Sequence, residues 1–378
     1  MMFIVLLLAA CSSGDGEASD TRQKVPPVIN IYVHSPNNPV ITRGDVGEVN
    51  PINNTANESL ITSLQIWVFN NETGALISYY SPESVDNLNE TAGTASYQLS
   101  VSEAFASAAE AGNKPNVDVY VLANAASCNM TFGEKTSRTS LEGAMITSGF
   151  FGLATLTDKV PESGLPMSGV LRNVPVDGSS PVYRLQNVSL TRAVSKIRFV
   201  LCKETPAQGQ ENIAVSINSI CLNAGMIPNN EYMFLETGTN ANPYRVDGFN
   251  TDDAKEFLSG SSLTDLPSCE DPLQYAYQSQ NAQDYENLIA EGVAAEKLIQ
   301  KGPYYLRESD KQLRGIIGYQ KGGEDAKNAT FEMKTAGDFS RNHTWIVYVF
   351  YSKSGLVAIT VVLKDWNEHT DFHEVYNW

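Results

Sequence analysis

Basic residues are the first shortage. The 378-residue chain carries 26 Lys+Arg against 43 Asp+Glu, a formal net charge of −17. Such a surface repels phosphate backbones, which excludes general nucleic-acid binding. Histidine is scarcer still, with 4 in all: His34, His343, His369 and His373. No H-E-x-x-H, nucleophile elbow, phosphate loop or dinucleotide fingerprint occurs. Calcium-loop spacing is missing too, since Asp252-Asp253 runs on into Ala254-Lys255-Glu256 without the required ligands. The 5 cysteines contain no C-x-x-C, so a thioredoxin-like or zinc-ribbon site has no support. After residue 10 no apolar run approaches the roughly 18 residues of a membrane-spanning helix. Short repeats are absent, which excludes collagen-like and solenoid folds. These gaps lead to a non-enzymatic reading with no cofactor and no metal. His369, Asp371 and His373 alternate and would share one face of a strand, a spacing suited to zinc or nickel. A polar final strand with incidental histidines explains them equally well.

Hydrophobic residues make up 42% of the chain and aromatics 9%, enough to fill a core. The length suggests two or three domains. Residues 1–10 are apolar and read as a signal peptide ending in small residues before Cys11. The order Leu8-Ala9-Ala10-Cys11 resembles a bacterial lipobox, which implies cleavage before Cys11 and a lipid on its sulfur. An ordinary signal peptide with an incidental cysteine is the alternative. A lipid at Cys11 would anchor the chain to a membrane without crossing it. The acidic stretch Ser12–Asp20 reads as a flexible tether. Cys128, Cys202, Cys221 and Cys269 remain, with three full pairings open to them. Cys202 and Cys221 lie on neighbouring expected strands and are the favoured bond; four buried thiols are the alternative.

Strands dominate the pattern. Leu64, Ile66 and Val68 alternate with Gln65, Trp67 and Phe69. Val117, Val119 and Val121 share a face, and Ile197, Phe199 and Leu201 stand opposite Lys196 and Arg198. This period of two predicts half-buried strands. Later strands are expected at 212–222, 304–308, 313–320, 329–334, 344–352 and 356–366, with a short closing one at 372–378. Helices are expected at 101–111 and 284–300, the second weakened by Gly292 at a cost of about 1 kcal/mol relative to Ala. Residues 225–302 show little strand pattern and read as a partly helical insertion. The plan is therefore all-β, in two mostly antiparallel sandwiches. It comprises a signal peptide at 1–10, a lipidated tether and N-terminal strand at 11–44, one sandwich at 45–185 and a second at 186–378.

Several stretches together resemble the fimbrillin family of Bacteroidales, the subunits of type V pili. They are the lipobox, Thr42-Arg43 some twenty residues before the first strong strand, SLQIWVFN with VDVYVLANA, LTRAVSKIRFVL at 190–201, and the closing block from Ser340 to Trp378. The resemblance implies two transthyretin-like sandwiches and no catalytic role. It also implies export as an outer-membrane lipoprotein, cutting after an arginine by an arginine-specific protease, and assembly by strand exchange into cell-surface fimbriae that support adhesion. Arg43, in a polar Gly-containing stretch, is the candidate cut site, and Arg22 competes with it. The released piece would carry residues 29–34 or 39–42 of the first sandwich. The candidate donor face is Val357, Ile359, Val361 and Leu363. Lys353-Ser354-Gly355 departs from a free donor tail, because it predicts a tight hairpin between 344–352 and 356–366; this fits a tip or accessory subunit, or a stalk subunit whose tail opens on assembly. Implied partners are other pilin subunits, the protease, and a host protein or glycan. The competing reading is a surface lipoprotein that binds glycan or host protein without polymerising, using aromatics such as Tyr275, Tyr277 and Tyr285.

Overall fold

The computed structural model describes residues 27–36, 58–89, 93–110, 116–176, 182–235, 246–252, 254–258, 263–272, 274–277, 282–332, 339–353, 355–364 and 368–375. Strands, numbered in chain order, form five sheets. In the first, β1 (Val28–His34) lies between β4 (Thr94–Ser100), antiparallel, and β8 (Val182–Ser189), parallel. The second is antiparallel and contains β2 (Leu64–Asn70), β3 (Leu76–Tyr80), β5 (Asn116–Ala123), β7 (Met167–Pro175) and β9 (Thr191–Arg192), in the order β3-β2-β5-β7-β9. A small third sheet joins β6 (Met145–Ile146) to β12 (Pro228–Tyr232) and β13 (Val246–Phe249).

The fourth sheet runs β15 (Ser268–Cys269), β10 (Ser195–Glu204), β19 (Thr344–Ser352), β20 (Gly355–Lys364), β21 (Glu368–Val375), with β16 (Ile299–Leu306) also paired to β10. The fifth runs β14 (Lys255–Leu258), β11 (Val215–Leu222), β17 (Arg314–Lys321), β18 (Lys327–Glu332). Helices are short apart from Glu103–Glu110 and Ala282–Ala294. None of the described helices is long and apolar enough to cross a membrane. The all-β expectation is borne out, with parallel pairs at β1–β8, β10–β15 and β10–β19 inside a mostly antiparallel arrangement.

Apolar side chains gather in three clusters. One holds β1, β2, β5 and their neighbours from Ile29 to Val194, joined by Met233, Phe234 and Tyr305. The second runs from Ile197 to Leu356 and also takes in Leu153. The third lies on the other face of β10 and β19, where Val200, Cys202, Ile346, Tyr348 and Phe350 meet Cys269, Tyr275, Ile289 and Leu298. Covering on both faces explains why β19 reads as an unbroken apolar run. The change from the first cluster to the second falls between Val194 and Ile197. Val188, Leu190, Ala193 and Val194 pack in the first cluster, and 187–189 and 191–192 pair with β1 and β7.

Several strands are more buried than a period of two implies. Trp67 and Phe69 are as buried as the Leu64–Val68 face opposite them. The Trp67 indole N–H donates to the Gly133 carbonyl at 3.0 Å, and its ring meets Phe132 edge-on. The second long helix ends at Ala294 rather than near 300, and Ile299 already belongs to β16. Gly292 is a packing requirement and not only a weakness. A Cβ there would clash with the buried Leu298 side chain and crowd the Tyr275 ring. Within 225–302 the chain also forms β12 to β15 and the start of β16, so this insertion is more strand-like than its sequence suggests.

Candidate assembly site

The expected N-terminal strand is β1, in the middle of a sheet. Val28 to His34 pair residue by residue with Ser100 to Thr94, and the other edge pairs with β8. The alternation Ile29, Ile31, Val33 explains its seat, since all three are fully buried in the first cluster. The ends are fastened as well. Val101 N–H donates to Pro27 O at 3.1 Å, Leu190 N–H to His34 O at 2.8 Å, and Ser35 N–H to Gly93 O at 2.7 Å. Burying three such side chains contributes on the order of 5–9 kcal/mol, an upper bound. Residues 39–42, the other expected piece of this strand, lie outside the described residues, as do Cys11, Arg22 and Arg43.

The chain leaves β1 at Pro36 and is described again from Glu58. Both ends of this excursion meet at one point, because the Ser59 hydroxyl donates to Pro36 O at 3.2 Å. Glu58, only 3% exposed, is the centre of a polar cluster beneath that point. Lys196 Nζ reaches its two carboxylate oxygens at 3.0 and 2.8 Å, and the Tyr305 hydroxyl donates to Oε1 at 2.5 Å. Arg198 Nη2 lies 3.9 Å from Oε1. Arg192 donates from Nε to Glu58 O at 2.9 Å, from Nη1 to Asn342 Oδ1 at 2.9 Å, and from Nη2 to the Ser59 hydroxyl. Burial pushes the Glu58 carboxyl up, but the charges of Lys196 and Arg198 and the hydrogen bonds of Lys196 and Tyr305 together hold it below the usual range. Desolvation lowers Arg192 to about 10.

Residues beyond Glu58 are pinned too. Asn124 takes Thr62 N–H at 2.9 Å and donates to Leu60 O at 2.7 Å, while Asn89 takes Ile61 N–H at 2.8 Å. The segment leading into β2 is therefore held independently of β1. Sequence reading missed this cluster. Lys196 and Arg198 read as the wet face of a strand, and nothing in the pattern singled out Glu58 or Ser59. Both basic side chains are buried, at 3% and 0% exposure. A basic pair alternating with apolar residues in a strand flanked by apolar runs was the available signal.

A second buried cluster ties β12 to the approach to β19. Arg341 donates from Nε and Nη2 to Glu308 Oε1 at 3.0 and 2.7 Å and from Nη1 to Met233 O at 2.9 Å. Its Nη2 also lies 2.9 Å from Glu231 Oε1, an oxygen that makes no hydrogen bond. Desolvation, with repulsion from Glu308, outweighs the arginines and pushes Glu231 up to about 8.

At the C-terminal end, Val357, Ile359, Val361 and Leu363 occur at alternate positions of β20 and share a face by backbone alternation. β20 pairs along its length with β19, from Gly355↔Ser352 to Leu363↔Thr344, and its other edge carries β21. The expected hairpin is present; Gly355, at φ 118, takes a conformation that suits glycine. His369, Asp371 and His373 all lie on β21; their side chains are outside the description. Tyr275 is 2% exposed and is no surface aromatic. The side chains of Tyr277 and Tyr285 lie outside the description as well. Cys202 and Cys221 sit in different sheets, the fourth and the fifth, so the favoured bond between them is not made; all four described cysteines are free thiols.

Comparison with known proteins bears on this arrangement. Residues 46–216 match the family described as major fimbrial subunit protein (FimA). The match contains SLQIWVFN, VDVYVLANA and LTRAVSKIRFVL, so the fimbrillin resemblance is borne out over that span, which is less than half of the chain. The family is a structural one, of fimbrial subunits. No curated protein matches the chain. Among solved structures, a cell adhesion protein from Parabacteroides distasonis aligns at TM-score 0.49 and 13% identity, covering 89% of this chain and 97% of that one. One from Bacteroides eggerthii aligns at 0.48 and 12%, covering 91% and 97%. The C-terminally truncated tip fimbrial protein Mfa3 from Porphyromonas gingivalis aligns at 0.43 and 13%, covering 89% and 100%.

Proposed function

We propose that this chain is a structural subunit of a cell-surface fimbrium, built from two β-sandwich domains, whose β1 is a placeholder strand. Acylation at Cys11 holds the precursor to the outer membrane. An arginine-specific protease cuts after Arg43, β1 leaves, and a strand from a neighbouring pilin subunit enters between β4 and β8 by β-augmentation. The observation that carries this reading is the contact between Pro36 and Ser59, the described residues on either side of 37–57. One cut within 37–57 severs the only chain link between β1 and the rest of the sheet. The Glu58 cluster then retains the new N-terminal side. An emptied site presents two unpaired strand edges and an apolar strip, which is what a donor strand satisfies.

The C-terminal end supports an accessory or tip position. With β20 paired inside its own sheet, the subunit accepts a strand at the β1 site without giving one. Adhesion to a host protein or glycan is then the role of the assembled fibre.

Arginine-specific digestion tests the proposal. Intact protein should be monomeric. After a cut between Arg43 and Gly44, it should bind a pilin donor peptide or partner subunit and release the β1 fragment. Arg43→Ala protein should do neither. Equal capture of the donor by uncut Arg43→Ala protein would defeat the reading. Capture accompanied by self-laddering of the cut protein would instead show that β20 opens and donates.

A further inference from the structure

Two of the free thiols meet at the edge of the fourth sheet. Cys202 is on β10 and Cys269 on the two-residue β15, which runs parallel to it. The register sets Lys203 opposite Ser268 and Glu204 opposite Cys269, so Cys202 and Cys269 are diagonal neighbours on one face. Both are buried, at 3% and 2% exposure, among Val200, Tyr275, Tyr348 and Phe350. Both side chains belong to the same buried cluster, on one face of the two paired strands. Cys128 belongs to the first cluster, and Cys221 is committed to the Leu222 carbonyl.

β15 needs help. It is held through Lys203 N–H to Pro267 O at 2.8 Å and Thr205 N–H to Cys269 O at 2.9 Å, and Glu270 and Asp271 beyond it are exposed. We propose that Cys202 and Cys269 form a disulfide that fastens β15, and the insertion that follows it, to the edge of β10. Closing the bond needs the two side chains to turn towards each other across the shared face, to a sulfur separation of about 2 Å.

The thiols are unequal, and this sets the order of events. The hydrogen bond from Cys202, with help from the Asp271 N–H and the Lys297 charge, lowers Cys269 to about 7, whereas Cys202 is held well above its usual value. Cys269, on a two-residue edge strand that runs straight into exposed Glu270 and Asp271, is the better placed of the two to meet an oxidant and is the attacking thiolate. It displaces one thiolate from an exchangeable disulfide such as oxidised glutathione, forming a mixed disulfide. Cys202 then loses its proton, attacks Cys269 Sγ and expels the second glutathione sulfur. Two electrons pass to the glutathione disulfide, and the Cys202 proton goes to a leaving thiolate.

The experiment uses the full chain carrying Cys11→Ser, incubated with oxidised glutathione, alkylated and mapped by mass spectrometry. A single Cys202–Cys269 cross-link is expected, with Cys128 and Cys221 alkylated after denaturation. Cys202→Ser should accumulate glutathione on Cys269, whereas Cys269→Ser should leave Cys202 unmodified. Cross-linking to Cys128 or Cys221 would overturn the proposal, as would a wild-type chain that keeps four free thiols or stops at the mixed disulfide.

Discussion

β1 and β20 are both inner strands of their sheets, yet they are held in different ways. β1 pairs with segments more than sixty residues along the chain on one side and about one hundred and fifty on the other. β20 pairs first with its immediate predecessor through a two-residue turn. A strand held only by distant partners loses its effective concentration once its covalent link is cut. A hairpin strand stays tethered beside its partner whatever happens at its far edge. One proteolytic event therefore makes β1 exchangeable, and no comparable event is built in for β20. The lesson is that exchangeability lies in connectivity more than in sequence, since both strands carry an alternating face of β-branched and aliphatic residues.

Removing 355–378 challenges this comparison most severely. β19 would lose the partner of one edge while its two faces stay apolar, so the truncated chain should aggregate or lose its cooperative urea transition. A truncated monomer with an unchanged midpoint would make β20 a dispensable tail and erase the difference from β1. Next in size is Glu58→Ala, which leaves Lys196 and Arg198 buried without their carboxylate. A loss of about 3–5 kcal/mol is expected in urea unfolding. Ile31→Ala should cost about 2–5 kcal/mol in the uncut chain. The same substitution should have no effect on the stability of cut protein filled by a donor strand, because β1 is then gone. A persistent effect would mean that β1 stays in place after cleavage.

Much of the scaffold was legible. Thr344–Ser352 has the expected bounds, because eight strongly β-prone residues, Thr344 to Tyr351, run up to a turn signal. β4 was not read, since Thr94–Ser100 buries Ala95, Tyr97 and Leu99 behind short polar neighbours that weaken the contrast. The candidate site was half legible. An N-terminal strand before an arginine could be read from INIYVH and PVITRG, but its central place in the sheet depends on partners far along the chain. The Glu58 cluster was illegible for a related reason. Period-2 alternation says which residues share a face but not whether water or a buried carboxylate lies opposite. The cysteine pairing failed likewise, since sequence neighbours β10 and β11 entered different sheets, and a two-residue strand brought Cys269 to Cys202 instead.

The mildest expected effect is a slope with pH, and it separates the two buried clusters. The folded state holds the Glu58 carboxyl below its ordinary value of about 4.5. Its contribution is fully present above about pH 4.5 and fades as the pH falls through the lowered folded value. Glu231 is raised to about 8, which reverses the sign. Its contribution is present below about pH 4.5 and is lost as the pH rises towards 8, because the folded state then holds a proton that the unfolded chain has given up. Each limb is limited to about 1.4 kcal/mol per pH unit for one group. Urea midpoints of the uncut chain should therefore peak in the mildly acidic range. Glu58→Gln should flatten the acid limb and leave the alkaline limb intact, and Glu231→Gln should do the opposite. If Glu58→Gln leaves the acid limb unchanged, the carboxylate is not held by its cations, and the anchor beside the β1 excursion would then rest on Arg192 and the backbone alone.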